Sequence, residues 1–532
     1  MVKKSPFKFL KWIYSWISAF LVKLKSAGPK IREEGLYQFL KTRMKRPGKD
    51  EMLEGSVISV MFKLGWPMMI ATFLRTLYNL VDTFWLGHLP NKEAARLSVT
   101  AVGQAWTFVF MMMSLGIGFG VAALALVSQH TGSRNFEEAE RDAGQLYFIA
   151  IVFSIIVGII GYFATPLMLD ILTGTGESAS QLAEYGTMYL QIIFLGLPFM
   201  FLFFAFTFVL RGWGDTITPM KITAVSVGLN MVIDPLLIFG VGPLPMLGIR
   251  GAAIATISTR GIGTLLGMYL LFSGRLGLEL KLSYLKPDIS KIKKFLNIGV
   301  PASLGRFGSS IGFIILWAVI YRLPNPEVAG AAYGVGNRVL NITFLVMGGL
   351  AMAMSTMVGQ SLGADDEERA EEVTKKGILA IVFLMMIFAL TIFALRNIVI
   401  GVFMPGNEEV IEAGADFLMI FALAMPFFGV FRGVTSILGG SGHTKQQMAL
   451  SLSRLWGLRL PLVFLFGIFL SLHANGVWLG MALSNVIACG LAIVVYKMGW
   501  WKEKVIEDKP TPGPEVPLED DKPRREKTED PD

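Results

Sequence analysis

Few ionisable side chains stand within the long apolar stretches of this 532-residue sequence, and several of them fall at helical spacing. In RTLYNLVDTFW, Arg75, Asn79 and Asp82 sit at i, i+4 and i+7, which is one face of a helix. In GLNMVIDPLLIFG, Asn230 and Asp234 are i and i+4 on one face. Pro235 then withholds a backbone donor, leaving a carbonyl one turn earlier free to bend the helix or meet a ligand. GAAIATISTR supplies small residues for close packing, the Thr256 hydroxyl and Arg260. A carboxylate or guanidinium at bilayer depth costs at least about 2.5–3.5 kcal/mol, so each one asks for a function. Two carboxylates, two amide oxygens and a hydroxyl make an all-oxygen set suited to a hard cation such as sodium. In a dry cavity the same carboxylates could instead take up protons. Asp82, Asn230, Asp234, Thr256 and Asn79 are the candidate cation-coupling residues, with Arg75, Tyr78 and Arg260 as candidates for a substrate cavity. The competing reading has Asp82 paired with Arg75, and Asp234 with Arg260 or Arg459, merely to join helices; a buried ion pair gains little over apolar packing, which weighs against it.

The elements that must position these residues are membrane spans. Hydrophobic residues make up 53% of the chain and charged ones 17%, against about 25% charged in soluble globular proteins. A bilayer core needs about 20 apolar residues per helix. Gly, Pro and charge clusters then divide the chain into twelve spans near 57–87, 96–129, 142–171, 184–210, 216–240, 249–274, 292–321, 329–361, 374–401, 411–437, 444–471 and 475–498. One cysteine and four histidines offer too few ligands for zinc, haem or iron–sulfur centres, and Cys489, in an apolar run, reads as a small buried residue. No Walker motif is present, and no nucleophile and base stand at a recognisable spacing, so neither ATP-driven transport nor a membrane enzyme is indicated. The net charge of +8 comes from residues lying between apolar runs rather than on a nucleic-acid-reading motif. With the basic amino terminus inside, the loops on that side collect Arg134, Arg141, Arg211, Lys281, Lys286, Lys291 and Lys445 among others, and both termini are cytoplasmic at the cell membrane.

Sliding the chain past itself by about 230 residues reveals a repeat. Gly65-Trp66-Pro67 matches Gly299-Val300-Pro301, the QHTG at Gln129 matches the QSLG at Gln360, and Gly212-Trp213-Gly214-Asp215-Thr216 matches Gly440-Ser441-Gly442-His443-Thr444. Two six-span halves inserted in the same orientation are related by a pseudo-twofold axis along the membrane normal. The expected fold is therefore an all-α polytopic membrane protein of two six-helix bundles. A lobe at 57–274 and a lobe at 292–498 are joined by a basic linker at 275–291. Residues 1–56 form a basic extension whose first 25 residues read as an in-plane amphipathic helix, and 499–532 read as a disordered charged tail. The acidic runs Glu137–Asp142 and Asp365–Glu372 read as solvated loop or helix-start charges. Aligned by the repeat, Asp82 falls on Leu316 and Asp234 on Leu460, so the acids belong to one half only.

The chain resembles the multidrug and toxic compound extrusion (MATE) family over roughly residues 57–498. The likeness rests on GWP with YNLVDTFWLG, LVSQHTGSRNFEEAE, RGWGDTITPM, LNMVIDPLLIFG followed by GIRGAAIAT, and the second-half GQSLGADDEERAEE and GGSGHT. What the resemblance implies is a V of two bundles around a central cavity. It implies export of organic, amphipathic compounds by alternating access, coupled to sodium or proton entry, by a monomer with no further cofactor. On the same basis Asp82, Asn230, Asp234 and Thr256 match first-lobe positions that bind the coupling cation. Second-lobe acids used by another branch are absent, and Arg75 departs from what a cation exporter would carry; it would neutralise Asp82 or accept an anionic or zwitterionic substrate. The same superfamily includes flippases of lipid-linked saccharides, and Arg75, Arg260 and Arg459 would suit a pyrophosphate headgroup. Membrane lipid and a small amphipathic molecule are the expected partners, and nucleic acid is not.

Overall fold

The computed structural model describes residues 47–174, 176–241 and 245–507, and among these residues the regular structure is entirely helical. The amphipathic helix expected over 1–25 and the tail from 508 onward lie outside them. After a short α1 (Lys49–Glu54), the first lobe contains α2 (Val57–Gly87), α3 (Lys92–Gly132), α4 (Phe136–Thr173), α5 (Glu177–Leu195), α6 (Leu197–Gly212), α7 (Ile217–Phe239) and α8 (Ile249–Phe272). The second contains α9 (Ile289–Ile320), α10 (Pro326–Gly363), α11 (Glu367–Phe403) and α12 (Glu408–Gly440). It closes with α13, a continuous span over Thr444–Phe469, and α14 (His473–Lys497). Among the described residues eleven helices are long and apolar enough to cross a bilayer alone. The twelfth span is the pair α5 and α6, bent by 52° where Gly196 and Pro198 interrupt the run. Pro198 enters at the first turn of α6, where its missing N–H costs nothing.

The apolar outer surface marks the lipid face. Phe163, Ile171, Leu379, Phe383 and Leu390 are all largely exposed on α4 and α11, a surface that would drive aggregation in water. Inside, the two largest hydrophobic cores form one per lobe, and they exchange helix ends. Val57, Val60, Met61 and Leu64 at the start of α2 belong to the second lobe's core, while Phe295 and Ile298 at the start of α9 belong to the first lobe's. Pro67 and Pro301, each just past the exchanged segment, mark where these helices pass from one lobe to the other.

The repeat is written into the backbone as well. Arg134 and Asp365, at matching turns between α3 and α4 and between α10 and α11, both take φ 58°, and the next residue, Asn135 or Asp366, caps the following helix through its side chain. At this basic end the two lobes clasp each other reciprocally. Gln129 Nε2 donates to the carbonyl of Ser441 (3.1 Å) and Gln360 Nε2 to the carbonyl of Gly212 (2.9 Å). Gly132 and Gly363 permit the approach: a Cβ on either would lie 1.9 Å from the carbonyl oxygen of the other repeat's glutamine.

Two features differ from the sequence reading. The acidic runs are not simply solvated: Asp142 is buried against Lys291 (2.8 Å) and His130 (3.3 Å), and Glu138 also holds Lys291 (2.7 Å), because the basic start of α9 folds back over α4. Gln145 fixes the linker there, donating to the carbonyls of Tyr284 and Lys286 and accepting from the N–H of Asp288. The beginning of the expected tail, residues 499–507, is ordered. Trp501 is buried, Lys502 pairs with Glu367 and Glu371, and the N–H groups of Val505 and Ile506 donate to Gln129 Oε1. Its lysines meet the acidic start of α11, and the two carboxylates hold the Lys502 ammonium above its usual range.

Candidate functional site

Three helices of the first lobe build the site. α7 packs between α2 and α8, and the ladders read from the sequence place their polar residues toward one another. Asn230 and Asp234, one turn apart on α7, are joined by a hydrogen bond from Asn230 Nδ2 to Asp234 Oδ1 (3.0 Å). Asp82 on α2 accepts from the Thr256 hydroxyl on α8 (3.4 Å), and its carboxyl lies against that of Asp234. Asp82, Asn230, Asp234 and Thr256 are all buried. The structure thus brings four of the five proposed cation-coupling residues into one cluster.

Asp82 Oδ1, Asn230 Oδ1 and Asp234 Oδ2 are buried and receive no hydrogen bond from any protein donor among the described residues. All three are acceptors, and an orphaned acceptor in a dry interior is costly unless something positive meets it. Pro235 adds to this, since it provides no N–H to the carbonyl of Met231 in the turn before. The pairing that would make these acids mere helix staples does not form: among the described residues neither Asp82 nor Asp234 makes a salt bridge with Arg75, Arg260 or Arg459. Arg459 lies in the second lobe, bonded to Ser484 and Asn485.

Beside the acids is a cavity of about 210 Å³ lined by Arg75, Tyr78, Asn79, Arg260 and an aromatic wall that includes Trp106 and Phe204. Arg75 stands 5.3 Å from the Phe204 ring, and Arg260 lies 5.3 Å from Tyr78 and 5.8 Å from Trp106. No carboxylate lines this cavity. Asn79 faces it, and no hydrogen bond joins Asn79 to either acid.

Cavity and acid cluster share their helices, one turn apart. Tyr78 precedes Asp82 by four residues, Ser226 precedes Asn230 by four, and Arg260 follows Thr256 by four. The partition between them is Tyr78, whose hydroxyl meets that of Thr259 (3.4 Å). Ser226 donates in turn to the Thr259 carbonyl (2.5 Å). Thr223, Ser226 and Thr259 were not among the residues singled out from the sequence. Extending the i, i+4 ladder by one more turn along α7 finds Ser226, but hydroxyls in spans are too common for that signal to stand alone.

Two lobes of membrane-crossing helices, related by a repeat and holding a cavity with a buried polar cluster beside it, define a polytopic membrane transporter. The sequence matches the MatE family over residues 67–236 and 301–465, and the chain belongs to that family, whose members are transporters and not enzymes. It is 27% identical over 84% of its length to a probable multidrug resistance protein NorM of Thermotoga maritima, covering 93% of that protein. It is 26% identical over 82% of its length to an FAD transporter of Shewanella oneidensis, covering 94% of it. The fold matches that of a MOP superfamily transporter from Pyrococcus furiosus with a TM-score of 0.77, at 22% identity, covering 85% of this chain and 98% of the other.

Proposed function

We propose that this transporter is a cation-coupled antiporter of the cell membrane, with its basic end and both termini cytoplasmic. Sodium or a proton enters at Asp82 and Asp234 while an amphipathic compound leaves from the neighbouring cavity by alternating access. The observation that carries this reading is the acid pair: two buried carboxyls from different helices face each other with acceptor oxygens unfilled and no arginine in a salt bridge. One positive charge held between them offsets their repulsion, whether it arrives as a metal ion or as a proton. Asn230 and Thr256 add oxygens suited to sodium.

Coupling follows from the shared helices. A cation drawing Asp82 and Asp234 together moves α2 against α7, and the cavity walls Tyr78 and Ser226 ride one turn away on those same helices. Substrate and cation then bias each other's binding, and linkage makes the bias reciprocal. The reciprocal glutamine clasp closes the basic end in this structure and would have to open for the opposite state.

Arg75 and Arg260 favour a substrate that presents a negative group together with an aromatic or apolar body, since the cavity offers guanidinium charge and ring faces but no carboxylate. Transport of FAD by one relative fits this preference. The same two arginines keep a lipid-linked saccharide or lipid flippase as the second reading. Proteoliposomes with separately clamped sodium and proton gradients test both. Gradient-driven movement of a soluble dye, drug or anionic aromatic compound, lost in Asp82→Asn and Asp234→Asn, supports the antiporter. Gradient-independent movement of a fluorescent anionic lipid between leaflets, with no solute accumulated, supports the flippase.

A further inference from the structure

We propose that the second lobe holds a binding site for a compact anion, built from Arg454, Arg459 and Asn485 at the α13–α14 contact. The proposal rests on the second lobe alone and stands whether or not the first lobe couples transport to a cation.

The site begins with a helix that changes register. Within α13, Ser453–Arg459 is a π-helical turn, in which hydrogen bonds run from i to i+5 and residues five apart come round to the same side. Arg454 and Arg459 are five apart. Both converge on one neutral acceptor, the side-chain carbonyl of Asn485 on α14, from Arg454 at 3.2 Å and Arg459 at 2.7 Å. Arg459 Nε also donates to the Ser484 hydroxyl (3.1 Å). The Arg454 guanidinium lies 5.3 Å and 5.0 Å from the ring centroids of Phe428 and Phe431 on α12.

Two donors in this cluster are left over. Arg454 Nε and Asn485 Nδ2 are both buried and find no acceptor among the described residues; Arg454 is 8% exposed and Asn485 is fully buried. Charge points the same way. The charged groups near enough to act on Arg454 are Arg459 and Arg432, both positive, and no acid among the described residues forms an ion pair with any of the three. Two guanidinium groups sharing one amide oxygen at membrane depth, with spare N–H groups and no carboxylate, call for an external anion. Ring faces at Phe428 and Phe431 limit the room beside Arg454, which selects a compact ion: a halide, or the carboxylate of an organic acid. These share one chemistry, a single negative charge accepting N–H bonds.

The test uses the purified full chain in lipid nanodiscs at constant ionic strength, with gluconate as the bulky reference anion. Titrating chloride, bromide or acetate against gluconate should raise the melting temperature saturably. A response to halides points to an inorganic ion, and a response to acetate alone points to an organic carboxylate; both support the site. Crystals soaked in bromide should show an anomalous peak within hydrogen-bonding reach of Arg454 Nε when halides respond. Arg454→Gln should weaken the apparent affinity about tenfold, since one charge-assisted bond corresponds to roughly that factor. Asn485→Asp places a tethered carboxylate between the guanidinium groups. It should abolish the anion dependence and raise the melting temperature in gluconate to at least the chloride value of the parent, which also covers the case in which Arg454→Gln does not fold. The proposal is overturned if the parent shows no saturable response to any of the three anions, if both variants keep it, or if Asn485→Asp is less stable than the parent in gluconate.

Discussion

In the first lobe's cluster Asp82, Asn230 and Asp234 each leave a buried oxygen without a partner among the described residues; in the second lobe's, Arg454 and Asn485 each leave an N–H group. The two lobes share a repeat, so the contrast was laid onto a common scaffold. Laying Gly248 on Gly476 places Thr256 on Ser484. Thr256 gives its hydroxyl to the Asp82 carboxylate, whereas Ser484 accepts from the Arg459 guanidinium. The positions of the two acids carry Leu316 and Leu460, both buried among apolar neighbours. The helix register differs too: Asn230 and Asp234 meet at i, i+4 on a regular helix, while Arg454 and Arg459 meet at i, i+5 on a π-turn. A duplicated bundle can therefore keep its hydroxyl and its contact between neighbouring helices while inverting the charge it wants. On the proposed mechanism only the first lobe can exchange a cation, because the second already holds tethered ones.

The sharpest way to break this comparison is to remove the acids. Asp82→Asn and Asp234→Asn are each expected to reduce gradient-driven export in proteoliposomes to the level of protein-free vesicles, and export that persists in both would end the assignment. The next largest effect comes from exchanging the charge pattern. Leu316→Asp buries a lone carboxylate in the second lobe's core, and should cost ~3–5 kcal/mol, the scale for an uncompensated buried charge. Asp82→Leu removes one of two facing carboxyls and fills the space with apolar volume, so its melting temperature should equal or exceed that of the parent even as coupling is lost. Thermal unfolding of both variants in the same detergent decides the point; if Asp82→Leu is the more damaged of the two, the acid is structural.

The membrane class, the twelve spans and the repeat were legible from the sequence because each rests on local spacing, apolar run length or offset; the i, i+4 ladder paired Asn230 with Asp234, and the family resemblance implied that Asp82 and Thr256 join them. What escaped was long-range. Nothing in the spacing of Arg75 and Asp82, one face of one helix, says that they turn to different neighbours, Phe204 for the one and Thr256 with Asp234 for the other. Arg459 was a candidate partner for Asp234 although it stands in the other lobe, because charge alone does not say which residues of facing lobes meet; it bonds instead to Ser484 and Asn485. Asp142 looked solvated since its partners, Lys291 and His130, come from other helices. The ordering of Val505 and Ile506 depends on Gln129, some 376 residues away in sequence. The π-turn at Ser453–Arg459 does not show in the apolar and charge pattern of α13.

The clasp at the basic end sharpens the comparison at smaller scale, because here the lobes are nearly equivalent and differ by one segment. Gln360 makes one side-chain bond across the interface, to Gly212. Gln129 makes its counterpart to Ser441 and also accepts from Val505 and Ile506. Each such bond contributes about 1 kcal/mol net, with more lost where a buried partner is left unmet. Gln360→Ala should therefore destabilise the closed basic end by roughly 1–2 kcal/mol, and Gln129→Ala by about two to three times as much. Because the bonds join the lobes rather than hold either one, the loss should appear as opening. Spin labels or fluorophores on opposite lobes at that end should separate more often in Gln129→Ala than in Gln360→Ala. Removing residues 503–532 should shrink the difference between the two variants, since it takes away the backbone donors that only Gln129 uses. Equal effects of the two substitutions in the full chain would mean that the segment at 499–507 rests on the surface without bracing the clasp.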